Sequence, residues 1–173
     1  MALNIKLHLN YVQQLKNDGV DGIRWDAAKH IGLSSEGCNF WNTVIDRSMY
    51  NYGEILVGVI DQHEVNQRTS DNINKMKEYT SYMSVTDSCY GTDILNAIKG
   101  GGVPSGYGSW VVSGLDEHKV VYWAESHDTY ANDGGESKYV DQNKIDRAYA
   151  ITASRNGAMA LYFSRPSQTE NLQ

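Results

Sequence analysis

Apolar positions along this chain switch between two periods, and the switches predict alternating helices and strands. Ile5, Leu9, Val12 and Leu15 recur at three- or four-residue steps between Ile5 and Lys16, the spacing of one helix face. Asn17-Asp18-Gly19 stops that helix, and Val20–Asp26 follows as a short strand ending in an acid. A turn-rich stretch, Ser34–Asn39, leads into a helix over Phe40–Ile45. Tyr52–Ile60 is a nearly continuous apolar run, which fits a strand covered on both faces, and residues 61–70 read as a polar loop. Ile73, Met76, Lys77 and Tyr79 give a helix or a turn before Tyr82–Asp87. A helical pattern over Thr92–Lys99, with Thr92 or Asp93 near its start, ends in the loop Gly100–Gly106. Trp110–Leu115 fits a helix or extended chain equally well. Lys119–Glu125 is a clearer strand that delivers Ser126-His127-Asp128. After a polar insertion, a helix is predicted over Lys144–Ser154 and a last strand over Ala158–Phe163.

Some five strands, mostly separated by helices, predict an α/β fold with parallel pairing. The 173 residues fall in the range of one domain but short of the roughly 250 of a closed (βα)8 barrel. The expected organisation is one domain over residues 1–168 and a polar tail over 169–173. Composition changes this picture only at the margins. With 40% hydrophobic and 21% charged residues the chain has the make-up of a folded domain. Fifteen Lys and Arg against 21 Asp and Glu give a net charge of −6, and no dense basic run exists. Nucleic acid is therefore not an expected partner. No stretch approaches 18 apolar residues, so neither is a membrane, and Met1–Tyr11 lacks the long apolar segment of a signal peptide. Cys38 and Cys89 fit one bridge or two thiols. Twelve Tyr and four Trp beside two Phe favour half-exposed surfaces, of the kind that stack on sugars or form protein interfaces.

Three acids occupy equivalent places in the strand pattern. Asp26 ends the first strand, Glu54 stands beside the second, and Asp128 closes the strand from Lys119. Groups beyond the carboxyl ends of parallel strands converge on one site, which favours a shared acidic centre over three separate helix caps. Arg24 lies two residues before Asp26, so both side chains point to one face of the strand. A guanidinium there holds the carboxylate ionised and oriented, or forms a structural salt bridge. Lys29 and His30 lie just beyond the strand, within reach of a polar ligand, and His127 flanks Asp128. Asp26, His30, Asp61, His63 and Asp128 do not form a recognised metal-ligand spacing, and Asp128, Asp133 and Glu136 fit a calcium site or plain surface acids.

The wording of these strand ends is similar to a known family. Asp21-Gly22-Ile23-Arg24-Trp25-Asp26-Ala27-Ala28-Lys29-His30-Ile31 resembles the fourth-strand motif of the α-amylases, glycoside hydrolase family 13. Tyr52-Gly53-Glu54-Ile55-Leu56 resembles the fifth-strand motif. Trp123-Ala124-Glu125-Ser126-His127-Asp128-Thr129-Tyr130-Ala131-Asn132-Asp133 resembles the seventh-strand motif. Order and spacing agree as well.

The resemblance implies that Asp26 is the nucleophile, Glu54 the general acid/base, and Asp128 the third acid, which binds sugar hydroxyls. It implies that Arg24 and His127 flank those acids as substrate-binding residues. Lys29 and His30 would line the leaving-group side, and the main-chain carbonyl of His30 would help hold a structural calcium. The implied chemistry is retaining hydrolysis of α-1,4-glucosidic bonds in starch or maltooligosaccharides, with Glu54 protonated and Asp26 ionised. Retention expects about 5–5.5 Å between their carboxyl groups.

The resemblance runs from the helix before the fourth strand through the eighth, without the first three strands, the third-strand motif or a C-terminal antiparallel domain. The expected fold is thus a partial TIM barrel, a half-barrel of about five strands. Its open edges predict pairing of two chains into a homodimer, with a partner polypeptide, a rebuilt monomeric edge or an inactive remnant as alternatives. A non-catalytic α-glucan-binding module and a transglycosylase are the functional rivals. Some relatives in such a family are extracellular, and the sequence leaves localisation open.

Overall fold

The computed structural model of the chain describes residues 5–55, 70–102, 114–132, 134, 136–155 and 159–166. These fall into two compact units, one drawn from residues 1–86 and 110–120 and the other from 87–109 and 121–173.

In the first unit the elements alternate: α1 (Ile5–Asn17), β1 (Gly22–Trp25), α2 (Phe40–Val44), β2 (Tyr50–Gly53), α3 (Ser70–Thr80) and β3 (Ser84–Thr86). β1 and β2 pair in parallel with Gly22 opposite Tyr50 and Arg24 opposite Tyr52. β2 and β3 pair in parallel with Tyr52 opposite Ser84. The period-3.6 face of α1 buries Val12 fully, whereas Leu9 stays exposed. α1 meets α2 through His8, whose ring lies edge-on to Phe40 at 5.2 Å. Phe40, Trp41 and Trp25 then form an edge-to-face cluster, with Trp25 and Trp41 5.5 Å apart and Phe40 and Trp41 5.0 Å apart. Trp25 donates its indole N–H to Asn51 Oδ1 at 2.9 Å, and the Asn51 amide in turn donates to the carbonyls of Asp46 and Met49. A half-buried amphipathic ring thus keeps its polar handle satisfied.

The second strand is shifted from the expected Tyr52–Ile60. It begins at Tyr50, whose N–H donates to the Asp21 carbonyl at 2.9 Å, and ends at Gly53. β1 sets this length, because the chain turns away at Asp26 and Ala27 and offers β2 no further ladder. Residues 56–60 of the apolar run, and the loop expected over 61–70 up to residue 69, lie outside the described residues.

The second unit holds α4 (Ser88–Lys99), β4 (Val120–Trp123, from Val121 onward), α5 (His127–Ala131), α6 (Gln142–Ala153) and β5 (Met159–Leu161). β4 and β5 are parallel, with Tyr122 opposite Ala160. Every residue of β4 is buried. α4 and α6 pack together, and Tyr90 hydrogen-bonds Thr152 through their hydroxyls at 3.2 Å. α4 starts four residues before the expected Thr92, capped by Asp87, whose side chain accepts the Tyr90 N–H at 2.8 Å. Gly91 disguises that start, since glycine lowers helix propensity. It is there because a Cβ would sit 2.5 Å from the Trp123 ring. Helix propensity alone gives Gly91→Ala about 1 kcal/mol of stabilisation. Overpacking against a rigid buried indole costs about 1–3 kcal/mol. Packing is expected to win, and a thermal melt should show Gly91→Ala less stable than the parent.

Strands alternating with helices, and parallel pairing in each unit, bear out the α/β partial-barrel class. Cys38 and Cys89 are thiols, the second of them buried. No described helix is long and apolar enough to cross a membrane.

Candidate active site

Arg24 is the centre of the acidic cluster in the first unit. Its Nη1 donates to Asp26 Oδ1 at 2.5 Å, and its Nη2 lies 3.4 Å from Glu54 Oε2. The alternation of β1 puts Arg24 and Asp26 on one side of the strand. Parallel pairing with β2 then sets Glu54, the residue after that strand, beside them. Burial works against the Arg24 charge, but the hydrogen bond with Asp26 and the attraction of Glu54 and Asp26 hold its pKa above the ordinary arginine value. One guanidinium therefore stays charged between the two carboxyl groups.

The two acids sit differently. The Asp26 side chain is 75% exposed, whereas that of Glu54 is 13% exposed. Glu54 is fixed at three points. Its N–H donates to the Trp25 carbonyl at 2.9 Å, extending the β1–β2 ladder by one residue. Its Oε2 accepts the Ala27 N–H at 2.9 Å. The next residue, Ile55, donates its N–H to Thr86 Oγ1 at 3.0 Å, which ties the segment to the end of β3.

The Ala27 contact depends on an unusual backbone. Ala27 has φ 46° and ψ 32°, in the left-handed region, and begins the 3₁₀ turn Ala28–His30. A side chain there costs about 1 kcal/mol or more, so the surrounding contacts over-determine the turn. Gly53 is part of that packing: a Cβ would lie 3.2 Å from Ala28 Cβ and 2.6 Å from Met83 Sδ. The same turn carries Lys29, half-buried, and His30, exposed. Buried Tyr79 of α3 anchors the segment, donating its hydroxyl to the Ile31 carbonyl at 3.2 Å and more loosely to that of Lys29 at 3.5 Å. Burial, joined by nearby acids, pushes the Tyr79 phenol well above its ordinary pKa, so it stays a donor.

Asp128 and His127 belong to the second unit. Ser126 caps α5, accepting the Thr129 N–H at 3.3 Å while Thr129 Oγ1 accepts the Ser126 N–H at 2.9 Å. Asp128 lies in the first turn of α5, where a negative charge suits the helix dipole. His127 Nε2 is 3.6 Å from Asp128 Oδ2, and Asn132 donates to Asp128 Oδ1 at 3.4 Å. The His127 and Asp128 side chains are both solvent-accessible.

No family model matches the chain. Among curated proteins it is 31% identical over 171 residues to an α-amylase of Clostridium acetobutylicum, a match covering 92% of this chain and 20% of that protein. It is 30% identical over 179 residues to an α-amylase of Butyrivibrio fibrisolvens, covering 87% of the chain and 18% of the relative. The chain is related to the α-amylases. A third α-amylase, from Aeromonas hydrophila, is 25% identical over 166 residues, with 93% of the chain and 34% of the relative covered. The chain thus spans about a fifth of the length of the first two of these α-amylases and a third of the other.

Against the α-amylase motifs, the structure joins Arg24 to both Asp26 and Glu54, where the sequence alone paired it with Asp26 only. Asp61, His63 and Asp133 lie outside the described residues. Among the described residues no group of three His, Cys, Asp or Glu is arranged to hold a metal ion. Calcium takes six to eight oxygens, backbone and amide carbonyls among them, and the His30 carbonyl would supply one at most.

Four partners were not foreseen. The Ala27 N–H depends on a backbone turn that alanine does not advertise. Tyr52 lies opposite Arg24 in the ladder, and burial raises its pKa, against which the Arg24 charge acts. Glu125 and Arg165 form a buried ion pair in the second unit. Their one signal was Glu125 itself, an acid continuing the wholly apolar run Val120–Ala124, since a buried carboxylate needs a partner.

Proposed function

We propose that this chain carries the catalytic machinery of a retaining, family 13 type α-amylase acting on α-1,4-glucosidic bonds of starch or maltooligosaccharides. The observation that carries the reading is the Arg24 guanidinium joined to two strand-end carboxylates in a chain related to α-amylases. Asp26 Oδ attacks the anomeric carbon as the bond to the leaving oxygen breaks, and Glu54 gives that oxygen its proton. Glu54, now a carboxylate, takes a proton from water, which displaces Asp26 from the sugar with net retention. The unequal reach of Arg24 suits these roles. Its closer contact favours the charge on Asp26, and the exposed Asp26 is open to a polymer. Asp128 and His127 serve sugar hydroxyls, and Lys29 and His30 the leaving-group side.

The test is release of reducing sugar from soluble starch and of nitrophenol from a p-nitrophenyl maltooligoside, with and without added calcium. Hydrolysis with a retained anomer is expected. Maltooligosaccharide binding without turnover would favour a glucan-binding module instead, and longer products would favour transglycosylation. A calcium requirement would support the His30 carbonyl as a ligand. We further propose a homodimer. Among the described residues β1 hydrogen-bonds to β2 alone, an edge available to a second copy. Solution mass measured beside activity tests this.

A further inference from the structure

We propose that Arg165 is the positioning residue for the turn that carries His127 and Asp128, an inference resting on the role given to Asp128 above. Arg165 lies four residues past the end of β5, and its side chain is 8% exposed. Its Nε donates to Glu125 Oε2 at 2.9 Å and its Nη2 to Glu125 Oε1 at 2.8 Å, a bidentate fork. The remaining donors are not idle. Nη1 reaches the Val140 carbonyl and Nη2 the Ser137 carbonyl, each at 2.9 Å. The guanidinium also faces the Tyr130 ring of α5 at 5.4 Å.

One planar cation thereby fastens three segments at the mouth of β4. Glu125 immediately precedes Ser126, the cap of α5. Tyr130 lies within α5, and residues 137–140 return behind it. Ser137 transmits the restraint: its N–H donates to the Thr129 carbonyl at 3.0 Å, and its hydroxyl hydrogen-bonds Thr129 Oγ1 at 3.2 Å. Thr129 and Ser126 cap each other. His127 and Asp128 are the two residues between them. Arg165 acts on Asp128 through this chain, with five donors in a fixed plane that a lysine ammonium cannot reproduce.

The experiment compares the full chain with Arg165→Lys, which keeps the charge, and Ser137→Ala, which leaves the ion pair intact and removes one link. Arg165→Lys is expected to lower kcat on a p-nitrophenyl maltooligoside roughly 10- to 100-fold with KM little changed, because a misplaced Asp128 is felt in the transition state. Ser137→Ala should move kcat the same way by less. In both variants hydrogen exchange should quicken at the Thr129 and Ser137 amides and stay slow at Val121–Trp123. Unchanged exchange at Thr129 and Ser137, or equal loosening of β4, would overturn the proposal. So would KM rising as kcat holds. Absence of turnover in the parent chain would count against the amylase reading alone, because the exchange arm still decides whether Arg165 orders the turn.

Discussion

Glu54→Gln should lower kcat for maltooligosaccharide hydrolysis by about 10²–10⁴-fold, the usual contribution of a positioned general acid. The substitution is nearly isosteric. The carbonyl oxygen of the new amide can still accept the Ala27 N–H that Glu54 Oε2 accepts at 2.9 Å, so the turn at Ala27 keeps its partner. The Arg24 guanidinium keeps Asp26 at 2.5 Å, so the nucleophile keeps its charge partner. What disappears is the proton for the leaving oxygen and, in the second half-reaction, the base for water. The deficit should therefore depend on the leaving group. A p-nitrophenolate departs with little help, so the first step should recover with the p-nitrophenyl maltooligoside, whereas an alcohol leaving group should not. Asp26→Asn removes the attacking oxygen and should be equally deficient on both substrates. Side-by-side kcat values separate the roles. If Glu54→Gln matched the parent on both, Glu54 would not be the acid, and equal impairment of the two variants on every substrate would leave the roles undivided.

Much of this site was legible because its positions follow from parity. Arg24 and Asp26 stand two apart on a strand, so a period of two alone puts them on one face. Glu54 and Asp128 were legible as acids placed, like Asp26, at or beside the ends of predicted strands. The connections between such positions were less so. Nothing in the sequence marks Gly53 and Gly91 as packing positions, yet at each a neighbour leaves no room for a Cβ. The second strand was drawn too far along because its apolar run outlasts its partner: β1 turns at Asp26, and hydrogen bonding, not hydropathy, ends β2. Ala27 in the left-handed region carries no sequence signal at all, although it supplies the N–H that fixes Glu54. Tertiary context sets such a residue, and propensity cannot anticipate it.

The Glu125–Arg165 pair was beyond reach for a related reason, since its partners are 40 residues apart in sequence. It carries the largest expected effect on stability. Glu125 is 1% exposed and has no water to replace a lost partner. Arg165→Met should therefore cost about 3–5 kcal/mol, the usual penalty for leaving one charge of a buried pair behind. For a chain of this size that lowers the melting temperature on the order of 10 °C. The intact pair need not itself be strongly stabilising, because desolvation of both ions offsets most of their attraction. Replacing both partners, with Glu125→Leu beside Arg165→Met, should accordingly return much of the loss. Recovery should stop short of the parent, because the Ser137 and Val140 carbonyls still lose the donors that reach them at 2.9 Å. An unsatisfied buried carbonyl costs about 1–3 kcal/mol. Thermal melts of the two single variants and the double variant close the cycle. A double variant as unstable as Arg165→Met would assign the cost to those two carbonyls, and a single variant as stable as the parent would remove the ion pair from any account of how this turn is held.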